Sequence, residues 1–290
     1  MRITRWVNKR TGLALLFLAP SLVGFALFYA IPFVMGLIYS FKDRTVDGVF
    51  VGLANYQALL DSASFRKAAW NTASFTLISV PLMLSLSLML ALLLNGSVYL
   101  RKWLRTAYIL PLVVPVASVV FIWQALFDWN GTLNAGLQWF SLERVDWMKS
   151  DGAMVVVAAI YIWKNIGYNM ILFLAGIQAI PESYYEIACL EGAGPFTRLR
   201  RITLVYLIPT MFFVVLMSII NSFKVFRETY LIAGDYPYDS IYMLQHYMNN
   251  MFIALDIQKL TAAATLMVAS IVVIVLALYA LERRFRRFME

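Results

Sequence analysis

ESYYEIACLEGAGPFTRLRRITLVYLIP, Glu182 to Pro209, is a short, amphipathic, charge-bearing interruption in an otherwise apolar chain, and its reading decides the fold. In a lipid-embedded protein such a stretch has to meet water or a partner. Ser183 and Glu186 have the S-x-x-E spacing of a capping box, in which the serine hydroxyl takes one orphan helix N–H and the glutamate reaches back to another. A helix is therefore expected to start here and to run about two turns, with Tyr184, Ile187 and Ala188 on one stripe. Gly192 would end it, because glycine takes the left-handed C-terminal conformation without a β-carbon penalty. Gly194 and Pro195 then turn the chain, and Pro195 suits the first position of a second helix. That helix carries Arg198, Arg200 and Arg201 before turning apolar at Ile202.

Outside this stretch the composition is that of a membrane protein. Of 290 residues, 62% are hydrophobic and 14% charged, with a mean hydropathy of +0.74. A soluble domain is apolar over about half its residues. Six runs reach the roughly 20 apolar residues that a spanning helix needs: 13–41, 72–94, 108–127, 154–178, 202–221 and 260–281. The expected fold is all-α and polytopic, with six transmembrane helices and both termini on one side. With the N-terminus inside, the inner segments hold fourteen basic residues, among them Arg2, Arg5, Arg101, Arg105, Arg283 and Arg287, against five acidic ones. The outer segments hold nine basic and eleven acidic residues. The positive-inside rule selects cytoplasmic termini, and the net charge of +8 is then a topology signal that needs no nucleic acid.

Several chemistries are excluded. No G-x-x-x-x-G-K-[ST] sequence is present, so no P-loop binds ATP in this chain. No spacing of Ser, His and Asp makes a nucleophilic site, and the spans as delimited contain no acidic residue. Cys189 and His246 are single residues of their kinds; they allow neither an intramolecular disulfide nor a metal-ligand spacing, and both read as structural.

Polar residues inside the spans mark where chemistry is expected. In the fourth span Lys164, Asn165, Tyr168 and Asn169, with Trp163 beside them, share one helical sector. Ionisable residues at this depth face a bundle interior or an aqueous cavity. In the fifth, Ser218, Asn221, Ser222 and Val225 recur at three and four spacing, with Lys224, Arg227 and Glu228 read as its outer end. These residues form either a hydrogen-bonding wall for a solute or interhelical glue. Pro111 and Pro115 should break the third span, and Pro20 and Pro32 should kink the first. Trp129, Trp139 and Trp147 cluster in an outer loop, as a membrane anchor or a sugar-stacking platform. The last outer segment, YMLQHYMNNMF, reads as a helix along the outer surface.

The order Glu186, Ala188, Gly192, Ala193, Gly194, Ile202, Thr203, Leu204, Pro209 resembles the EAA loop of membrane subunits of ATP-binding-cassette importers, in the maltose-type carbohydrate branch. FVGLANYQALL with NTASF at Asn71, and the stretch around Pro111, are similar to the same family. Ile187 stands for the usual second alanine, Glu191 for an aspartate, and Val205 for a proline. The resemblance implies a type I importer-like permease domain over 1–290, with a core at 72–281 and a cytoplasmic coupling loop at 182–201. Tyr185, Glu186, Ala188, Glu191, Gly192, Ala193 and Gly194 would be the ATPase-coupling positions. Trp163, Asn165, Tyr168, Ser218, Asn221, Ser222 and Val225 would be the sugar site, which Lys164 adjoins. The implied partners are a second homologous permease, two ATPase subunits that carry the ATP and Mg, an extracytoplasmic solute-binding protein and a sugar. The chain itself would be no enzyme and hold no cofactor. The resemblance places it in a bacterial or archaeal cytoplasmic membrane. The rival readings are an ion-coupled secondary carrier of a small polar solute, for which Lys164 and the broken helices speak, and a structural scaffold. On either of them the Glu182 to Pro209 stretch is an ordinary inner loop.

Overall fold

Lipid offers the backbone no hydrogen-bond partner, so each long apolar run closes its own bonds as helix. The computed structural model describes residues 2–96 and 99–286. Met1, Ser97, Val98 and residues 287–290 lie outside the described residues, and with them the Arg287 end of the terminal basic cluster. Among the described residues the one extended pairing is an isolated bridge between Lys42 and Phe50. Among them, too, five helical runs are long and apolar enough to cross a bilayer: Leu13–Tyr39, Ala63–Asn95, Ala153–Gln178, Ile208–Ala233 and Ile257–Arg284. The third expected span is instead a pair of helical pieces, Arg101–Val113 and Val116–Trp139, bent by 101°. The bend falls where Pro111 and Pro115 predict a break, since neither can donate to the ladder.

Contacts group the described residues of Met1–Ser62 with Met251–Val268. Here α1 (Arg2–Phe25) passes through a π turn, Ala26–Ala30, into α2 (Ile31–Tyr39). Pro32 has no N–H to give, and the Ile31 N–H reaches back five residues to the Ala26 carbonyl; the proline is absorbed as a π turn. The expected polar segment follows as a compact turn and α3 (Ala54–Asp61). The Asn55 amide donates to the carbonyls of Ser40 at 2.9 Å and Lys42 at 2.8 Å, and the Ser40 and Tyr56 hydroxyls meet at 2.7 Å. These bonds hold α3 against the exit of α2.

The second group joins Ala63–Asn250 with the described part of Ala269–Glu290. Its spine is α4 (Ala63–Asn95) against α8 (Ala153–Gln178), flanked by α5 (Arg101–Val113) and α12 (Ile208–Phe223). Gly167 sets the α5–α8 distance: a β-carbon there would lie 1.8 Å from the Tyr108 carbonyl oxygen, so only glycine lets the two backbones meet. One apolar cluster gathers Phe75, Met83, Val157, Tyr161 and Val225; another gathers Ala91, Met170, Phe173, Leu207 and Val214. Past the bend, α6 (Val116–Phe127) leads to α7 (Thr132–Trp139). The buried Asn134 ties that loop by donating to the carbonyls of Asp128, Trp129 and Val145 and accepting from the Val145 and Trp147 N–H groups.

The Glu182 to Pro209 loop carries α9 (Glu182–Leu190) and α10 (Pro195–Arg198), then a π turn at Leu199–Thr203 and the short α11 (Leu204–Tyr206). The fifth span starts at Ile208, six residues later than expected, because the π turn and Pro209 restart the helix. It also runs further: α12 stops at Phe223, and α13 (Phe226–Ala233) resumes after Lys224 and Val225 within one crossing-length run. That run holds Glu228, which corrects the expectation that no span carries an acid. Next, α14 (Leu244–Ile253) forms as expected but buries Leu244, His246 and Tyr247 instead of resting on the surface. Asn71 and Thr72 explain its placement: the Asn71 amide donates to the Asp239 and Tyr242 carbonyls, and the Thr72 hydroxyl accepts the Leu244 N–H. The last helix, α15 (Ile257–Arg286), is the sixth crossing.

Candidate functional site: a charged cavity and an exposed loop

Where α12 breaks at Lys224 and Val225, a cavity of about 310 Å³ opens between the break, α8 and α14. Burial alone would empty it of charge, since an unpaired ion in low dielectric is costly. It holds charge because Lys164 of α8 donates to Glu228 Oε1 across the gap; their side chains are 19% and 8% exposed. Around this pair the lining is polar: Asn165 and Asn221, the cations Lys224 and Arg227, and Gln245 of α14.

The eight residues expected at a solute site separate in the structure. Lys164, Asn165, Asn221 and Val225 line the cavity. Ser218 and Ser222 do not, and serve as helix packing: the Ser218 hydroxyl accepts from the Asn169 amide at 2.9 Å while its carbonyl accepts from the Tyr161 phenol at 2.7 Å. The Ser222 hydroxyl meets that of Thr76 of α4 at 2.9 Å. Trp163 faces away, edge-on to Trp123 with ring centroids 5.5 Å apart, and lines a separate apolar hollow with Tyr108 and Pro111. Tyr168 is half-buried and outside the charged lining. Asn165 turns its amide to the Tyr161 carbonyl of its own helix at 2.8 Å. Sequence reasoning missed Glu228, Lys224, Arg227 and Gln245 as lining residues. A signal for Glu228 was present, because Asn221, Val225 and Glu228 continue the same helical spacing one turn further.

Trp129, Trp139 and Trp147 form no common platform. Trp147 packs edge-on to Phe127 and donates to Asn134, Trp129 lies under the Arg144 guanidinium, and Trp139 is 91% exposed. His246, read as structural, is buried, with its Nδ1 accepting the Met243 N–H at 3.3 Å and its ring edge-on to Phe226. Burial pushes its pKa down to about 4, against a weaker upward pull from Asp235.

The loop that carries α9 and α10 is built differently. Its expected capping box does not form: the cap position is Pro181, and no side chain caps α9. Proline fixes the entry at φ −59°, the helix begins at Glu182, and Ser183 is left inside the first turn; Glu182 then places an acid at the positive helix end. The C-terminus follows expectation closely. Gly192 has φ +78°, its N–H reaches the Cys189 carbonyl, and the Ala193 N–H reaches the Ala188 carbonyl at 2.8 Å. That pair of bonds is a Schellman motif. Pro195 opens α10 after Gly194, as its fixed φ favours. Across the loop, the Tyr185 and Thr203 hydroxyls meet at 2.9 Å, Tyr184 stacks on Tyr206, and an Arg198 N–H donates to the Cys189 sulfur at 2.7 Å. Glu186, Glu191 and Gly194 are exposed, and Ala188 and Ala193 half-buried. Ile187, Leu190 and Phe196 are 55%, 89% and 74% exposed, apolar side chains with none of the described residues over them.

Residues 83–287 match the family of binding-protein-dependent transport system inner membrane components. The chain belongs to that family. This inner membrane component is 32% identical over 278 residues to the sulfoquinovosyl glycerol transport system permease protein SmoG of Agrobacterium fabrum, covering 92% of this chain and 90% of that one. It is 31% identical over 235 residues to the trehalose/maltose transport system permease protein MalF of Thermococcus litoralis, covering 79% of each. Its fold matches a chain from the crystal structure of a bacterial ABC transporter involved in alginate import, with a TM-score of 0.84 at 24% identity, over 98% of this chain and 99% of that one. Family and fold agree with a multi-pass, type I importer-like permease.

Proposed function

We propose that this chain is the permease subunit of an ATP-driven importer that moves a carbohydrate into the cytoplasm. The observation that carries the reading is the outward apolar face of α9 and α10, held rigid by a Schellman turn, on a chain of this transport family. Such a face is suited to a cleft in a separate ATPase subunit, with Tyr185, Glu186, Ala188, Glu191, Gly192, Ala193 and Gly194 shaping the contact. The relatives named for sulfoquinovosyl glycerol and for trehalose and maltose support a sugar cargo. Lys164, Asn165, Asn221 and Val225 would meet the cargo in transit. Ser218 and Ser222 would hold the helices that carry them, and Trp163 and Tyr168 would stand behind. A second homologous permease, two ATPase subunits and an extracytoplasmic solute-binding protein complete the assembly, with both termini of this chain cytoplasmic. ATP and its Mg belong to the ATPase subunits.

The test is reconstitution. In proteoliposomes the full complex should hydrolyse ATP faster when the loaded binding protein is added, and the permease chain alone should show no hydrolysis. Sugar uptake that follows a proton or sodium gradient without ATP would replace this reading with an ion-coupled carrier.

A further inference from the structure

We infer that the cavity between α8 and the α12–α13 break selects an anionic saccharide, one bearing a carboxylate, sulfonate or phosphate, over a neutral one. The inference rests on the importer reading and names its cargo more closely. Four charged side chains line the cavity: Lys164, Lys224 and Arg227 carry positive charge and Glu228 alone carries negative. Glu228 is bound to Lys164, and among the described residues neither Lys224 nor Arg227 forms a salt bridge. Among the described residues the cavity therefore has two cations without a counter-ion and one paired with Glu228. Low-dielectric walls focus such a field on whatever enters.

Three further features agree. First, the break exposes the first turn of α13, where Phe226, Arg227 and Glu228 line the cavity; the positive end of a helix in a discontinuous span favours an anionic group. Second, in the proposed orientation Lys224 and Arg227 sit toward the outer end of their span, where the topology bias disfavours basic residues. They are not there as inner anchors. Third, the remaining polar lining is neutral and able to donate: Asn165, Asn221 and Gln245 can hold hydroxyls, while the planar fork of Arg227 can pair two oxygens of one anionic group. A volume of about 310 Å³ is at the small end of ligand sites and suits one charged ring at a time.

The experiment uses the assembled complex in nanodiscs of zwitterionic phosphatidylcholine, titrated with trigalacturonate and with the matched neutral galactotriose. The acidic trisaccharide should bind about tenfold or more tightly than the neutral one, the ratio expected for one added charge-assisted contact. The preference should shrink with added salt and disappear in Lys224→Gln/Arg227→Gln, the two trisaccharides then binding alike. Those two side chains are exposed, so the variant should fold, and an unchanged thermal midpoint checks that it does. Equal or tighter binding of galactotriose overturns the inference; if the complex still couples neutral-sugar uptake to ATP, the importer reading survives. A preference that persists in the double variant overturns it too, because the charge lies elsewhere. So does a preference abolished by phosphatidylglycerol discs, which would make the cavity a lipid-headgroup site. Absence of ATP-coupled uptake for either sugar type removes the importer reading itself.

Discussion

The cavity and the α9–α10 loop are both polar interruptions in an apolar chain, yet they are satisfied in opposite ways. Around the cavity, buried polar groups pair within the chain: Lys164 with Glu228, Asn169 with Ser218, Tyr161 with the Ser218 carbonyl. In the loop the backbone is closed by its own turn, while the side chains of Ile187, Leu190 and Phe196 are exposed, with none of the described residues over them. The first arrangement fixes a shape that a small solute can enter. The second leaves an apolar surface open, which the proposed importer reading fills with another protein. Burial makes the cavity's bonds mutually dependent, so breaking one should destabilise the chain; exposure makes the loop tolerant in stability and intolerant in partnership.

The largest effect expected from that contrast is at the ion pair. Glu228→Leu leaves the half-buried Lys164 without its carboxylate, a change that costs up to about 3–5 kcal/mol, the figure for a fully buried pair. Lys164→Met/Glu228→Leu removes both charges and should recover most of that loss. Thermal unfolding of the purified chain in detergent checks both, with a large drop in midpoint for the single variant and a small one for the double. Equal drops would mean that the pair adds nothing beyond packing and that water screens the cavity throughout.

A smaller, pH-dependent effect belongs to His246, next to the lining residue Gln245. Its folded pKa of about 4 lies below the ordinary value of 6.5, so the unfolded chain binds more protons between those values. Stability from the neutral imidazole is fully present above pH 6.5 and is lost as pH falls toward 4. The groups around it are Phe226, Tyr242 and the Met243 N–H, with Asp235 opposing the shift from further off. The unfolding free energy should therefore fall across that window by an amount on the order of 3 kcal/mol, read as a lower unfolding midpoint, and His246→Phe should flatten the slope. An unchanged slope would mean that His246 stays neutral for some reason other than burial, or does not titrate there.

How much of this was readable from sequence follows the same division. Run length gave the crossings, because lipid leaves the backbone only the helix. Gly192, Pro195, Pro111 and Pro115 announced their turns, since each restricts or frees the backbone locally. The capping box failed because Pro181 took the cap position, two residues before Ser183, and the helix began at Glu182. Glu228 was placed outside the span because a charge usually ends an apolar run; only a partner 64 residues away, Lys164, allows it inside. The serines were misplaced for a rotational reason. Adjacent helix residues lie about 100° apart, so Asn221 and Ser222 look in different directions, one to the cavity and one to Thr76. Which direction is which depends on the neighbouring helices, and no local pattern states that.

In the loop, a modest cost in stability should give a large loss of partnership. A β-carbon at the left-handed Gly192 costs about 1–2 kcal/mol, while the spans keep their own backbone bonds. Gly192→Val should accumulate normally in the membrane but release the ATPase subunits on purification and lose transport. Gly192→Asn, which tolerates the conformation better, should retain part of both. If the valine variant purifies with its ATPase and transports normally, α9 is an ordinary inner loop and the contrast drawn above fails on its exposed side.

The smallest expected effect tests whether α9 is fastened to the start of the fifth span. The Tyr185 hydroxyl meets that of Thr203 at the end of the Leu199–Thr203 π turn, and this is a direct side-chain bond between the helix and that turn. Such turns are rare and collect at functional positions. Tyr185→Phe removes one half-exposed hydrogen bond and keeps the ring, so it should cost about 1 kcal/mol. A loss of that size multiplies local opening roughly fivefold, which hydrogen–deuterium exchange can read at Leu199–Thr203. Faster exchange confined to that turn, with ATPase association intact and transport reduced, would show the bond carrying motion from α9 to the span. Exchange and transport both unchanged would mean that α9 moves independently of Thr203, and that any coupling passes through the backbone of α10 instead.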